Sequence, residues 1–167
     1  VSGRLAGQVA WISGGASGMG EATAKLFAAE GAAVVFTDVQ ADRGQKIESE
    51  IIANGGKALF IECDVTKEDK VRASIEAAVE KFGNLQIMVN CAGVVHVKPL
   101  HEYSEEEWDE LMNINVKSIF FSVKHGIAQL KKNKRSYIVN IGSVGSFISQ
   151  PSTPAYIASK GAVLQLS

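Results

Sequence analysis

The sequence predicts an α/β fold in which one parallel sheet is covered by helices on both faces, and three observations carry that prediction. Short apolar runs alternate along the chain with longer segments whose apolar residues recur at helical spacing. The runs are near-continuous in Val, Ile, Leu and Phe, as in strands buried on both faces, rather than alternating as in a half-wetted antiparallel sheet. Strand and helix patterns also follow one another strictly, so helical crossovers join successive strands and leave them parallel.

The first run, QVAWISG at 8–14, passes through a glycine-rich turn into the helical GEATAKLFAAEG. AAVVFTD at 32–38 is the second strand, and 41–53 is a polar-faced helix closed by Asn54, Gly55 and Gly56. KALFIECD at 57–64 is the third strand. Thr66 and Asp69 have the spacing of a capping box, predicting a helix to about Phe82 with Gly83 as its stop. LQIMVNCAG at 85–93 is the fourth strand, and a long helix follows, opened by the capping-box pair Ser104 and Glu107. The basic run Lys131-Lys132-Asn133-Lys134-Arg135 reads as its solvated end, favoured by the helix dipole. SYIVNIGS at 136–143 is the fifth strand, and Ser152 or Thr153 caps a last helix with Pro154 in its first turn. Five such βα repeats make a Rossmann-like doubly wound sheet, expected as a single domain over residues 1–167.

Composition narrows the function. Hydrophobic residues make up 46% of the chain and charged residues 21%, which excludes a disordered chain. A formal net charge of −1 gives no electrostatic footprint for nucleic acid or an anionic membrane, so neither is expected as a partner. No run reaches the ~18 apolar residues of a membrane span, and no signal pattern opens the chain. The chain starts at Val1 without Met, so a processed or trimmed N-terminus is expected. Cys63 and Cys91 fit neither a zinc nor a redox spacing, and each sits in an apolar run as a small buried residue. A reducing, cytoplasmic location fits them. No metal-ligand spacing exists among the histidines. His96 lies just past the fourth strand, as a pocket residue or a loop histidine; His101 and His125 read as surface or satisfied polar residues.

Two groups of residues carry chemistry. In SGGASGMG at 13–20, Gly14, Gly18 and Gly20 allow a tight turn and close approach to a pyrophosphate, which the following helix N-terminus would attract. Asp38 ends the second strand, where a carboxylate can accept from an adenosine ribose or cap the next helix. Its charge would repel a 2′-phosphate. No Lys or Arg lies in the glycine turn or directly after Asp38, and Arg43 reads as a solvated helix residue, so NAD is favoured over NADP. In the tail, Tyr156 and Lys160 share one helix face at i and i+4, where an ammonium favours a phenolate. Asn115 lies on the apolar stripe of Trp108, Leu111, Met112 and Ile119, so it should be buried with its amide partnered.

Order and spacing together resemble the short-chain dehydrogenase/reductase family, in its single-domain branch. SGGASGMG is similar to the family's Thr-Gly-x-x-x-Gly-x-Gly with Ser13 in the Thr place, CDV to its Asp-Val step, and NCAG to its Asn-Asn-Ala-Gly. MNINV puts Asn115 at the family's helical Asn, and Ser143, Tyr156 and Lys160 match its catalytic residues. The resemblance implies a hydride transfer between NAD and an alcohol/carbonyl pair. Tyr156 would move the hydroxyl proton and Ser143 orient the substrate oxygen. Lys160 would lower the Tyr156 pKa and hold the nicotinamide ribose, and Asn115 would support a water relay to Lys160. It assigns cofactor contacts to Ser13, Gly14, Ser17, Gly18, Met19, Gly20, Asp38, Asp64, Val65, Asn90, Ala92 and Gly93, together with Tyr156 and Lys160. Asp64 would meet the adenine. Cys91 removes an amide that helps hold neighbouring strands, at a cost to stability more than to chemistry.

Family members run further at the C-terminus, so the chain is expected to be a truncated piece with the C-terminal strands and substrate lid missing. A full-length homodimer or homotetramer is expected. An NAD-dependent alcohol dehydrogenase is the leading reading. A catalytically inactive NAD-binding module, or an interaction protein that kept only the fold, are the alternatives.

Overall fold

Helical crossovers alternate with strands as the periodicity requires. The computed structural model describes residues 3–167, and Val1, read above as a processed or trimmed start, lies outside the described residues. The elements are β1 (Val9–Ser13), α1 (Gly18–Ala29), β2 (Ala33–Asp38), α2 (Ala41–Ala53), β3 (Lys57–Glu62), α3 (Glu68–Phe82) and β4 (Ile87–Asn90). Then follow α4 (Glu105–Met112), a π turn (Asn113–Lys117), α5 (Ser118–Leu130), β5 (Tyr137–Asn140) and α6 (Pro154–Leu166).

The strands form one parallel sheet in the order β3-β2-β1-β4-β5. The chain starts at the centre, runs outward to β3, and returns past β1 to β4. That reversal opens a crevice between the carboxyl ends of β1 and β4, the place where open α/β sheets bind ligands. Successive side chains of a strand point to opposite faces, so the sheet separates two cores. Ala10, Ile12, Val34 and Phe36 pack under Ala24, Ala28, Ile47 and Ile51 of α1 and α2. Trp11, Val35 and Met88 pack under Val71, Ile75, Phe121 and Leu130 of α3 and α5. Trp11 Nε1 donates to Ser74 Oγ at 3.0 Å, which satisfies the polar end of the largest buried side chain.

The structure corrects three expectations. Burial on both faces holds for β1, β2 and β4, but β3 and β5 are sheet edges. Tyr137 and Val139 of β5 are 53% and 44% exposed, and α6 packs on α4 and the π turn. Thr66 does not cap α3. Its N–H and hydroxyl both donate to Asp64 Oδ1, at 2.9 and 2.7 Å, so a turn made by the aspartate takes the hydroxyl and α3 begins at Glu68. The long helix after β4 does open on a full Ser104–Glu107 capping box, but the π turn interrupts it around Asn115.

Candidate active site

The turn from β1 to α1 uses its three glycines for different reasons. Gly14 has φ +66°, and a Cβ there would stand 2.7 Å from Ala92 Cα, so the turn rests against the end of β4. A Cβ on Gly20 would meet Gly14 O at 1.9 Å, which excludes any side chain. Gly18 has φ +50° and faces open space. Ser13 is buried; its hydroxyl accepts from the Cys91 and Ala92 N–H groups at 3.1 and 3.2 Å, locking the ends of β1 and β4 together. Serine thus supplies the hydroxyl this joint needs.

Ser17 is the N-cap of α1, and its side chain is not spent on capping. The amides of Gly18, Met19 and Gly20 precede the first intrahelical bond, Glu21 N–H to Ser17 O, and are the donors a helix start offers to an anion. Asp38, 8% exposed, stands opposite. Its Oδ2 accepts from Ala16 N–H at 3.0 Å and its Oδ1 from Gln40 N–H at 3.1 Å. The carboxylate therefore caps the next segment and braces the glycine turn, both at once.

These parts wall a cleft of about 380 Å³. Gly14, Ser17, Gly18, Met19 and Asp38 line one side, and Asp64, Val65, Ala92 and Gly93 the other. Sequence reasoning missed Gln40, Val94 and Ile114, which also line it and carry no motif signal. Cys63 and Cys91 line it too; Cys63 is buried as expected, at 2% exposed, whereas the expected burial of Cys91 is corrected to half-burial. Ser13, Gly20 and Asn90 sit behind the wall. Asn90 Oδ1 accepts from Ser122 Oγ at 2.7 Å and its Nδ2 donates to Asn140 Oδ1 at 2.8 Å. This amide pair ties β4 to β5, a task for which no amide at position 91 is needed. A larger depression of about 610 Å³ lies at the opposite ends of the strands, beside Lys25, Glu50 and Gly56, away from these groups.

A dinucleotide fits the cleft. It has a glycine with open space above it, unspent helix-start donors, and a carboxylate at the end of β2.

The second cluster adjoins at Gly93, where a Cβ would stand 3.4 Å from Asn115 Oδ1 and 3.8 Å from Lys160 Nζ. Asn115 is 1% exposed, as its stripe requires, and its amide oxygen and both amide protons are partnered. Oδ1 accepts from Val94 N–H at 2.8 Å, while Nδ2 donates to Val94 O and Ser159 Oγ, both at 2.9 Å. It thus fastens the segment after β4 to α6. Ser159, which sequence reasoning passed over, sits between the two motif residues of α6 and also donates to Tyr156 O at 2.6 Å. Lys160 is 7% exposed; Nζ donates to Ile141 O at 2.6 Å and lies 5.7 Å from the centre of the Tyr156 ring. Burial pushes the Lys160 ammonium below its ordinary pKa. Ser143 Oγ accepts from Gly145 N–H at 3.1 Å, and Ser146 Oγ donates to Lys160 O at 2.8 Å. The loop after β5 is thereby pinned to α6.

The remaining candidates stand apart. His96 packs on Tyr103, whose hydroxyl donates to His96 O at 3.0 Å, and does not line the cleft. His125 pairs with Glu68 at 2.9 Å, and His101 is exposed. Arg43 is a solvated helix residue, 53% exposed on α2, and also pairs with Glu21.

Residues 8–167 match the family described as short chain dehydrogenase. The chain is 42% identical over 164 residues to 2,5-dichloro-2,5-cyclohexadiene-1,4-diol dehydrogenase of Sphingobium indicum, covering 98% of this chain and 66% of that protein. A short-chain dehydrogenase/reductase of Burkholderia phymatum, solved in complex with NAD, is 33% identical with a TM-score of 0.94 over 97% of this chain and 58% of that one. A metagenomic short-chain oxidoreductase, solved in complex with NADP, is 32% identical with a TM-score of 0.92 over 97% and 74%. The chain thus spans less than two thirds of the length of the first two. Fold, glycine turn and family match agree: the chain belongs to the short-chain dehydrogenase/reductase family.

Proposed function

We propose that the chain carries the cofactor cleft and proton-transfer residues of an NAD-dependent dehydrogenase acting on a small alcohol or its ketone. The observation that carries this reading is the meeting of the two clusters at Gly93, which brings the cleft to Asn115 and Lys160. Bound in the cleft, a nicotinamide would exchange a hydride with the carbon bearing the substrate oxygen. Tyr156 gives or takes the proton on that oxygen, and the Ser143 hydroxyl stabilises the negative charge that develops there. Burial lowers the pKa of Lys160, whose Nζ lies 5.7 Å from the centre of the Tyr156 ring, within reach of the same bound cofactor and substrate. Both Asn115 amide protons are spent on Val94 O and Ser159 Oγ, so the side chain has no donor left for a relay water.

NAD is preferred because the Asp38 charge stands at the cleft wall, where it would repel a 2′-phosphate. The cyclic diol named for the Sphingobium relative supports an alcohol substrate. A cytoplasmic location and a homodimer or homotetramer belong to the same proposal. The two free cysteines support the first and the exposed Phe120 on α5 the second. Among the described residues no helix is long and apolar enough to cross a membrane.

The test is nicotinamide absorbance with the full-length protein across a panel of secondary alcohols. Turnover with at least one class is expected, and Tyr156→Phe should reduce it by about 100-fold or more while NAD still binds. NAD binding without turnover of any alcohol would favour the inactive module instead.

A further inference from the structure

We propose that Glu21 is a specificity-determining residue of the cofactor cleft, because it holds the Arg43 guanidinium that a 2′-phosphate would need. The inference rests on the cofactor reading above. Glu21 directly follows Gly20 in the first turn of α1, and Arg43 lies in the first turn of α2, three residues after the cleft-lining Gln40. Arg43 Nη2 donates to Glu21 Oε2 at 3.2 Å, joining the two helix starts that flank the Asp38 end of the cleft. The other Glu21 oxygen is fixed by Lys25 at 2.8 Å, and Lys25 is held in turn by Glu50 at 2.7 Å. Glu21 is therefore a positioned anchor, whereas the Arg43 side chain is 53% exposed and has room to turn.

The four charges of this chain sum to zero. Neutralising Glu21 leaves Lys25 still paired with Glu50, so the surplus positive charge falls on Arg43, in the helix turn that follows the cleft-lining Gln40. Neutralising Glu50 leaves the same surplus, but on Lys25, which lies a turn further along α1 and lines the opposite depression. A ribose 2′-hydroxyl carries no charge and should be indifferent to either change. A 2′-phosphate carries about two negative charges, meets Asp38 and Glu21 in the unaltered protein, and gains a guanidinium partner only when Glu21 is neutral.

Calorimetric titration of the full chain with NAD and NADP at low salt tests this. Glu21→Gln should tighten NADP by about tenfold, the scale of one half-exposed guanidinium–phosphate contact, and leave NAD within about twofold. Glu50→Gln should move neither, and Arg43→Ala in the Glu21→Gln background should abolish the gain. An unchanged NADP affinity in Glu21→Gln overturns the inference. So does an equal gain in Glu50→Gln, or a gain that survives loss of Arg43. Failure of the unaltered chain to bind NAD overturns the cofactor reading itself, and is distinguishable because no variant is needed to see it.

Discussion

A methyl group at position 20 should disable the cofactor turn while a methyl at Gly83 should not. A Cβ on Gly20 would lie 1.9 Å from Gly14 O, against the 3.4 Å where ordinary contact begins, so the two backbone segments must separate by about 1.5 Å. Both belong to the turn, and neither is a flexible side chain that could swing aside. A separation of that size moves the helix-start amides off a bound pyrophosphate, so Gly20→Ala should weaken NAD by about 100-fold, the scale of one or two lost charge-assisted hydrogen bonds. Gly83→Ala is the control. Gly83 ends α3 with φ +79° and open space around it, so a side chain there costs about 1 kcal/mol of backbone strain and nothing in the cleft. Gly18→Ala has the same kind of strain, with φ +50° and no neighbour, but its methyl enters the cleft. Urea unfolding and NAD titration of the three variants separate the cases. Gly83→Ala should lose stability alone, Gly18→Ala both stability and NAD affinity, and Gly20→Ala NAD affinity most of all. Normal NAD binding by Gly20→Ala would refute the reasoning.

Asn115→Leu leaves the Val94 N–H and C=O and the Ser159 hydroxyl without their partner, and should cost about 3 kcal/mol in urea unfolding; a loss under about 1 kcal/mol would contradict the role of the amide. Lys160 has a folded pKa below its ordinary 10.5, so the folded chain binds its proton less tightly than the unfolded chain does. The burial penalty on its ammonium is full below the folded value and is relieved as pH rises from there toward 10.5. The stability of the unaltered chain relative to Lys160→Met should therefore rise with pH across that alkaline window, and a flat or falling difference would be contrary. Burial raises the pKa of both thiols, Cys63 to about 11, but Cys91 is half-buried and Cys63 buried, so a maleimide should label Cys91 first, and NAD should slow that reaction. Mass mapping reads the order, and Cys63 reacting first would count against the cleft as described.

Much of the fold was legible because its signals are local. The continuous apolar runs and helix spacings placed every strand and crossover, and Ser104 with Glu107 formed the expected cap. Thr66 misled because the same spacing serves two turns, and Asp64, two residues upstream, competes for its hydroxyl. Nothing in the stripe around Asn115 foretells a π turn, since Leu111, Asn115 and Ile119 recur at the four-residue spacing of an uninterrupted α-helix. The glycine turn and Asp38 were readable as a unit, but the double duty of the carboxylate depends on how β2 faces the turn, a tertiary fact. Ser159, Ser122 and Asn140 could not be singled out, because a small polar residue is ordinary on any helix or strand until its partner is known.

The most direct measurement is backbone hydrogen exchange of the full chain with and without NAD. Bound NAD should slow exchange at Ser17–Met19, at Val39–Gln40 and at Asp64–Val65, the segments that line the cleft at the carboxyl ends of the strands. Protection confined instead to Lys25, Glu50 and Gly56, at the larger depression on the opposite side, would contradict the cofactor cleft; so would no protection at millimolar NAD.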